Sequence, residues 1–135
     1  MERITVPASV DQLDTVQDFI SEKLEQYDCP MKAMMAIEIA VEEIFVNIAS
    51  YAYRPEIGEA TVCCEVCEDP LEVTIQFLDH GKPFNPLEKD DADISQDALL
   101  EREGGLGILM VKKSMDSVTY SYENGKNILT ILKKM

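Results

Sequence analysis

The segment AIEIAVEEIFVNIASYAY, residues 36–53, decides the fold, because it predicts a long helix that is apolar around most of its circumference. Its polar residues fall on two lines instead of one. At 3.6 residues per turn, the first line carries Glu38 and Glu42, and the second carries Glu43, Asn47, Ser50 and Arg54. A helix that is buried on most sides needs only one solvated face. The question is therefore what the second line contacts.

The charge balance limits the ligands and partners that the chain can take. It has 135 residues, with 26 acidic and 12 basic side chains and a formal net charge of -14. Such a field repels phosphate backbones and anionic membrane surfaces, so we expect neither a nucleic acid nor a membrane as partner. A phosphate ligand would have to be held locally, by a metal ion, a helix N-terminus or one or two placed basic residues.

Length and apolar content indicate the class of protein. The length suits a single domain over residues 1–135, and 46% apolar with 28% charged residues is typical of a soluble globular protein. No run is long enough to span a bilayer, and MERITVPASV lacks the pattern of a signal segment. We therefore expect a cytoplasmic protein.

Two interpretations of the cysteines are open. The Cys64-x-x-Cys67 spacing is compatible with zinc binding or redox chemistry, although the chain has no second such pair. The alternation in ATVCCEVCE favours a half-buried strand with reduced cysteines. On that interpretation one face of the strand carries Ala60, Val62, Cys64 and Val66.

Periodicity and turn residues predict the order of the elements along the chain. They are a strand in ITVPA, a helix ending near residues 28–30, the central helix over 31–53, and strands in ATVCCEVCE and LEVTIQFLD. Next come a polar segment over 80–103 that is either a functional lid or disordered, a helix after the glycines at 104–107, and a hairpin of SVTYSY and KNILTILKK turning at Asn124-Gly125. This order predicts an α+β two-layer sandwich. Its sheet should be mixed but mostly antiparallel, with the helices on one face.

A carboxylate occupies a core position at the end of the second central strand. In LEVTIQFLD, Asp79 falls on the same face as Val73, Ile75 and Phe77. A buried ionised carboxylate needs a donor, and the 6-amino group of adenine is a donor that an acceptor-only group can recognise. Gly81 would let the ring approach the backbone. The alternative is a carboxylate that caps a turn at the strand end.

The second polar line of the central helix suits a metal-phosphate ligand. Glu43 and Asn47 lie four residues apart on one face. The amide oxygen of Asn47 is a ligand of the type that Mg²⁺ accepts, and Glu43 is placed to take a proton during phosphoryl transfer. The alternative is a second solvated stripe.

A glycine-rich turn opens the next helix. Gly104-Gly105-Leu106-Gly107 leaves backbone N-H groups that can point at phosphate oxygens, and Arg102 just before it is a candidate γ-phosphate contact. A glycine hinge without a ligand is the alternative. The chain contains no P-loop motif G-x-x-x-x-G-K-[ST].

These three motifs resemble those of the GHKL ATPases, which have the Bergerat fold. EEIFVNI resembles the N box, DHGKPFNP the first glycine box and EREGGLGILMV the second, and the resemblance extends over residues 6–133. In the first box, Lys82-Pro83 stands where the family often has a second glycine. Within the superfamily the chain is most similar to the stand-alone anti-sigma-factor serine/threonine kinases of bacterial partner-switching systems.

The resemblance implies ATP and Mg²⁺ as cofactors and assigns roles to the motif residues. Glu43 would be the general base, Asn47 the Mg²⁺ ligand and Asp79 the adenine-recognition residue, while Arg102 and the turn from Gly104 to Gly107 would bind phosphates. It also implies that the protein binds a sigma factor, phosphorylates a serine of a STAS-like anti-anti-sigma protein, and forms homodimers.

A second hypothesis belongs to another class: an ATP-gated protein-binding switch with little or no kinase activity. The sequence encodes its partner surface poorly. We expect the methionines Met31, Met34 and Met35 of the central helix to be core residues.

Overall fold

The structure is a computed structural model that describes residues 1–53, 58–88 and 105–135. Its strands are β1 (Glu2–Pro7), β2 (Glu59–Cys67), β3 (Glu72–Asp79), β4 (Ser117–Glu123) and β5 (Lys126–Lys134). They form one sheet in the order β1-β2-β3-β5-β4, in which every described pairing is antiparallel. The helices are α1 (Leu13–Glu25), α2 (Met31–Asn47) and α3 (Gly105–Ser114).

The core lies between the helices and one face of the sheet. Along β3 the burial alternates residue by residue, so that Val73, Ile75 and Phe77 point into the core. Facing them, α2 contributes Ile44 and Phe45, both at most 1% exposed. Burying each such side chain stabilises the fold by roughly 1.5–3 kcal/mol. The prediction of an α+β sandwich with a mostly antiparallel sheet and helices on one face is confirmed.

The strand interpretation of the cysteine segment agrees with the burial of β2. Ala60, Val62 and Cys64 are buried on its inner face, and all four cysteines of the chain are free thiols. Burial raises the pKa of the Cys64 thiol to about 12. A thiol with that pKa stays protonated at neutral pH, as expected of a cysteine that acts as a small core residue.

The central helix is α-helical over a shorter range than the sequence predicts. It changes at Asn47 into a π-helical turn over Ile48–Ala52, instead of continuing as an α-helix to Tyr53. The wider turn presents the carbonyl oxygen of Ala52 to the backbone N-H of Lys82, at 3.2 Å. The end of α2 is thereby joined to the loop that follows β3.

The predicted hairpin turn at Asn124-Gly125 is present, and a second tight turn lies at Asp69-Pro70. Asn124 and Gly125 have φ angles of 54° and 76°, and two positive φ angles define the turn that matches the twist of a hairpin. Asp69, before Pro70, also has a positive φ, of 59°.

The expectation that the methionines of α2 are core residues is wrong for two of the three. Met31 is 75% exposed and Met35 is 56% exposed, whereas Met34 packs partly against the core. Ile39, a further turn along, is 60% exposed. Helix α2 contacts α1 and α3, and this third side faces outward.

None of the helices in the described part of the chain is both long enough and apolar enough to cross a membrane.

Candidate nucleotide-binding site

A cavity of about 270 Å³ lies between the end of α2 and the sheet. Its apolar walls include Ile44 and Ile48 from the end of α2, Phe77 from β3, Ile108 from α3 and Leu129 from β5. Asp79, Asn47 and Asn127 also line it. A mainly apolar cavity with a few polar groups is the usual form of a small-molecule site. A ligand with a flat aromatic ring and a polar edge would fit a cavity of this kind.

Asp79 lies in this cavity and is only 5% exposed. Its Oδ1 accepts hydrogen bonds from the backbone N-H of Gly81, at 2.9 Å, and from Nδ2 of Asn127, at 3.0 Å. No residue that the structure describes donates to Oδ2. The hydrogen bond from Gly81 agrees with the interpretation that Asp79 caps the turn after β3, and adenine recognition by the other oxygen stays a prediction.

Gly81 is required by a close approach of two backbone segments. A Cβ atom at this position would overlap the carbonyl group of Ala52 in the π-helical turn. The sequence predicts that Gly81 makes room for a base, and the structure supplies a protein neighbour for the same space. Its nucleotide contact stays a prediction.

Tyr53 links the loop after β3 to the start of β2. Its hydroxyl accepts a hydrogen bond from the backbone N-H of His80, at 2.6 Å, and donates one to the carbonyl oxygen of Glu59, at 2.5 Å. Burial raises the pKa of Tyr53, and the charges of Asp79 and Glu59 add to the increase, against an opposing contribution from the His80 hydrogen bond. No sequence signal marks this residue, because both contacts depend on the tertiary fold.

Asn127 is a site residue that the sequence interpretation missed. It is 7% exposed and lies directly opposite Asp79 in the β3-β5 register. Besides Asp79, its Nδ2 donates to the carbonyl oxygen of Lys82 at 2.9 Å, and its Oδ1 accepts from the backbone N-H of Phe84 at 3.1 Å and from the Tyr120 hydroxyl. The signal was available, since Asn127 is the polar member of the buried alternating row Asn127, Leu129, Ile131.

The two motif residues of α2 are half-buried, and Asn47 lines the same cavity as Asp79. Glu43, one turn earlier, is outside the residues that line it. Neither side chain makes a hydrogen bond with a residue in the described ranges. Burial raises the pKa of Glu43, and the charge of neighbouring Glu42 raises it further.

The glycine-rich turn is described only in part. Gly105, Leu106 and Gly107 form the first turn of α3, where backbone N-H groups have no partner within the helix. Ile108, the next residue, lines the cavity, so this turn lies beside it. Arg102 and Gly104 lie outside the described residues.

The order of the elements, the antiparallel sheet and the cavity beside α2 together define a domain with the Bergerat fold. The chain belongs to the histidine kinase-like ATPase family, whose sequence model matches residues 6–133. The resemblance to the GHKL ATPases is thus confirmed, and membership implies that the protein uses ATP.

Relatives within the family point to one branch of it. The chain is 33% identical to the serine-protein kinase RsbW of Listeria monocytogenes over 103 residues, which are 73% of this chain and 64% of the relative. It is 29% identical to RsbW of Bacillus mycoides over 100 residues, 71% of this chain and 61% of the relative. The chain thus spans less than two thirds of these relatives.

Solved structures agree on the fold. The RsbU and RsbW domains of a Mycobacterium tuberculosis protein superpose with a TM-score of 0.67 at 14% identity, covering 98% of this chain and 32% of that one. The SiaB-SiaC complex from Pseudomonas aeruginosa gives a TM-score of 0.59 at 18% identity, covering 100% of this chain and 90% of the other. At these identities the similarity establishes the fold alone.

Proposed function

We propose that the protein is an anti-sigma serine kinase that transfers the γ-phosphoryl group of ATP to a serine of an anti-anti-sigma protein. One observation carries the proposal: Asp79 lies buried in a cavity with one carboxylate oxygen already bonded and the other without a described donor. The similarity to kinases named RsbW supports the choice of a protein serine as acceptor.

In this proposal the free oxygen of Asp79 accepts a hydrogen bond from the 6-amino group of adenine. The apolar walls, including Ile44, Phe77 and Leu129, pack on the faces of the ring. An ionised carboxylate can only accept hydrogen bonds, so the cavity prefers a ligand whose edge carries a hydrogen-bond donor.

The phosphates would then extend toward α2 and the start of α3. The N-H groups of Gly105, Leu106 and Gly107, with Gly104 and Arg102 before them, are the proposed phosphate donors. Asn47 fits a Mg²⁺ ion held mainly by phosphates and water, because Asn47 lines the cavity and the described residues contain no cluster of three acidic, histidine or cysteine ligands. When bound, that ion would neutralise charge on the phosphates.

Glu43 is the proposed general base. As the serine oxygen forms its bond to the γ-phosphorus, the hydroxyl proton passes to the Glu43 carboxylate and the bond to the ADP oxygen breaks. Burial beside Glu42 raises the pKa of Glu43, which brings it closer to the pH at which a base works best. The products are phosphoserine and ADP.

The proposed partners are a STAS-like anti-anti-sigma protein as phosphoacceptor and a sigma factor as the protein held when that acceptor is absent. A net charge of -14 favours encounter with basic partner surfaces. We further propose that the protein acts in the cytoplasm as a homodimer.

An ATP-gated switch without turnover is the second candidate function. Lys82-Pro83 favours it, because the backbone of Lys82 is bonded on both sides, to Ala52 and to Asn127, and Pro83 lacks the freedom of a glycine. A loop fixed in this way is suited to binding a nucleotide but less suited to rearranging during turnover.

Incubation with γ-labelled ATP and a serine-bearing anti-anti-sigma protein from the same organism separates the two functions. The kinase proposal predicts label on that protein, lost in Glu43→Gln. Binding of ATP without any transfer would overturn the kinase and leave the switch. Mg-ATP at 100 to 1,000 times its dissociation constant should also stabilise the fold by roughly 2.7–4.1 kcal/mol, and the absence of any thermal shift would overturn both candidates.

A further inference from the structure

We infer that Asn127 is a positioning residue that fixes the orientation of the Asp79 carboxylate and so determines the preference for a 6-aminopurine. The inference rests on the proposed binding of ATP and deepens it. Asn127 is outside the motifs that the sequence identified, and it acts through Asp79.

The contact between the two side chains follows from the sheet. Asp79 ends β3 and pairs with Asn127 near the start of β5, and the two buried side chains meet at the same face. Nδ2 of Asn127 lies 3.0 Å from Oδ1 of Asp79. The contact is thus built on paired strands, which hold a side chain more firmly than a loop does.

This contact fixes the orientation of the Asp79 carboxylate plane. The two oxygens are chemically equivalent, so a half turn changes nothing, but an unrestrained carboxylate can also stop at intermediate angles. Here Oδ1 is occupied by two donors, the backbone N-H of Gly81 and Nδ2 of Asn127. A partial turn of the carboxylate would break the Asn127 bond, so the second oxygen is held at one position as the acceptor for a ligand.

Asn127 also holds the part of the cavity wall that Lys82, Pro83 and Phe84 form. Its Nδ2 donates to the carbonyl oxygen of Lys82 and its Oδ1 accepts from the backbone N-H of Phe84, at 2.9 and 3.1 Å. Lys82, Pro83 and Phe84 all line the cavity. Restraining this wall limits the sideways movement by which a purine with a different edge could adapt to Asp79.

The chemistry of the loop explains why this residue is an amide. Asp79 and the carbonyl oxygens of Gly81 and Lys82 offer three acceptors to Asn127, and the loop offers one backbone donor. A carboxamide provides both donors and an acceptor. An aspartate would place a second carboxylate beside Asp79. A leucine would leave the buried groups unpaired, which is costly.

Calorimetric titration with ATP and with purine riboside triphosphate, which lacks only the 6-amino group, tests the inference. In the unmodified protein, ATP should bind roughly 10- to 150-fold more tightly, the effect of one hydrogen bond to a charged group. In Asn127→Ala that ratio should fall close to one, because ATP loses affinity and the analogue does not. Asn127→Ser keeps a hydroxyl donor and should retain part of the preference.

A matched control comes from the same loop. Asn85 accepts a hydrogen bond from the backbone N-H of Leu87, at 2.9 Å, and has no bond to Asp79. Asn85→Ala should therefore keep the full ratio. Thermal unfolding identifies the folded variants, and if Asn127→Ala does not fold, Asn127→Ser carries the test.

The possible failures are distinguishable. Equal loss of affinity for both nucleotides, or an unchanged ratio in the folded variant, would mean that Asn127 has only a structural role and would overturn the inference. If the unmodified protein binds neither nucleotide, the proposed function itself is wrong and the inference falls with it.

Discussion

The two polar parts of the candidate site differ in how far the protein completes them by itself. At the sheet, Asp79 and Asn127 are 5% and 7% exposed, and hydrogen bonds link them to each other and to the adjoining loop. On α2, the side chains of Glu43 and Asn47 are half-buried and make no hydrogen bond with a residue in the described ranges. The side chains at the sheet end are held by protein hydrogen bonds, whereas those at the helix end are available for the contacts that we propose with ligands.

Burial accounts for the difference. An unpaired polar group costs free energy in proportion to its isolation from water, so Asp79 and Asn127 must be paired in the folded protein. Glu43 and Asn47 keep access to solvent and can remain unpaired at low cost. We therefore expect changes at the sheet end to affect nucleotide affinity and stability, and changes at the helix end to affect the rate of transfer.

The largest expected effect is on the rate, in Glu43→Gln. Removing the proposed base should lower the rate of phosphotransfer by about 10²- to 10⁴-fold. ATP affinity should stay within experimental error, because the base acts on the acceptor hydroxyl. Labelled transfer under single-turnover conditions and calorimetry measure the two quantities, with Glu42→Gln, its exposed neighbour, as the control. An unchanged rate would remove the base assignment.

Asp79→Asn should have the next largest effect. The amide can keep both bonds that Oδ1 now accepts, but it replaces the free acceptor Oδ2 with a donor. ATP affinity should fall roughly 10- to 150-fold while the protein remains folded. Calorimetric titration with ATP measures the affinity.

The matched control for that change is Asp116→Asn. Asp116 accepts a hydrogen bond from the backbone N-H of Lys134, at 2.6 Å, and is exposed. Its replacement should leave ATP affinity unaltered. Equal losses in both variants would show that general charge, and not the carboxylate in the cavity, determines binding.

Gly81→Ala should reduce stability. The new methyl group would overlap the carbonyl of Ala52, and overpacking of this kind costs about 1–3 kcal/mol. Thermal and urea unfolding should show the loss. Gly125→Asn is the control, because space around Gly125 is open and asparagine tolerates its positive φ. A fully stable Gly81→Ala protein would mean that the loop is not fixed against the π-helical turn.

The smallest expected effect is on the pH dependence of stability. Because the pKa of Glu43 is raised in the folded state, the folded protein binds this proton more tightly than the unfolded chain. The contribution of this proton to the free energy of unfolding is fully present below the ordinary glutamate pKa of about 4.3. It is lost as the pH rises through the raised pKa of Glu43 in the folded protein. Glu43→Gln should thus melt slightly above the unmodified protein at neutral pH and level with it in acid. A lower melting temperature at neutral pH would contradict the burial of this carboxylate.

The sequence predicted those parts of the fold that depend on local pattern. Alternation placed Asp79 on the buried face of β3, and the Asn124-Gly125 pair marked the hairpin. The same alternation in β5 places Asn127 on the buried face, so the sequence indicates the position of Asn127 but not its hydrogen-bond partners. Partners on another strand depend on register, which side-chain pattern alone does not determine.

Other features depend on contacts that a sequence does not encode locally. The Tyr53 contacts require β2 and the loop after β3 to come together, and the π-helical turn has no residue signature. The sequence of a helix that is apolar on most sides also does not indicate which side the neighbouring helices and strands cover. For that reason Met31 and Met35 were expected inside and are exposed.

The most direct test of the central claim is the affinity of the unmodified protein for ATP and for purine riboside triphosphate, measured by calorimetry with Mg²⁺ present. If the free oxygen of Asp79 recognises the 6-amino group, ATP should bind roughly 10- to 150-fold more tightly. Equal affinities, or no heat from either nucleotide, would contradict the claim.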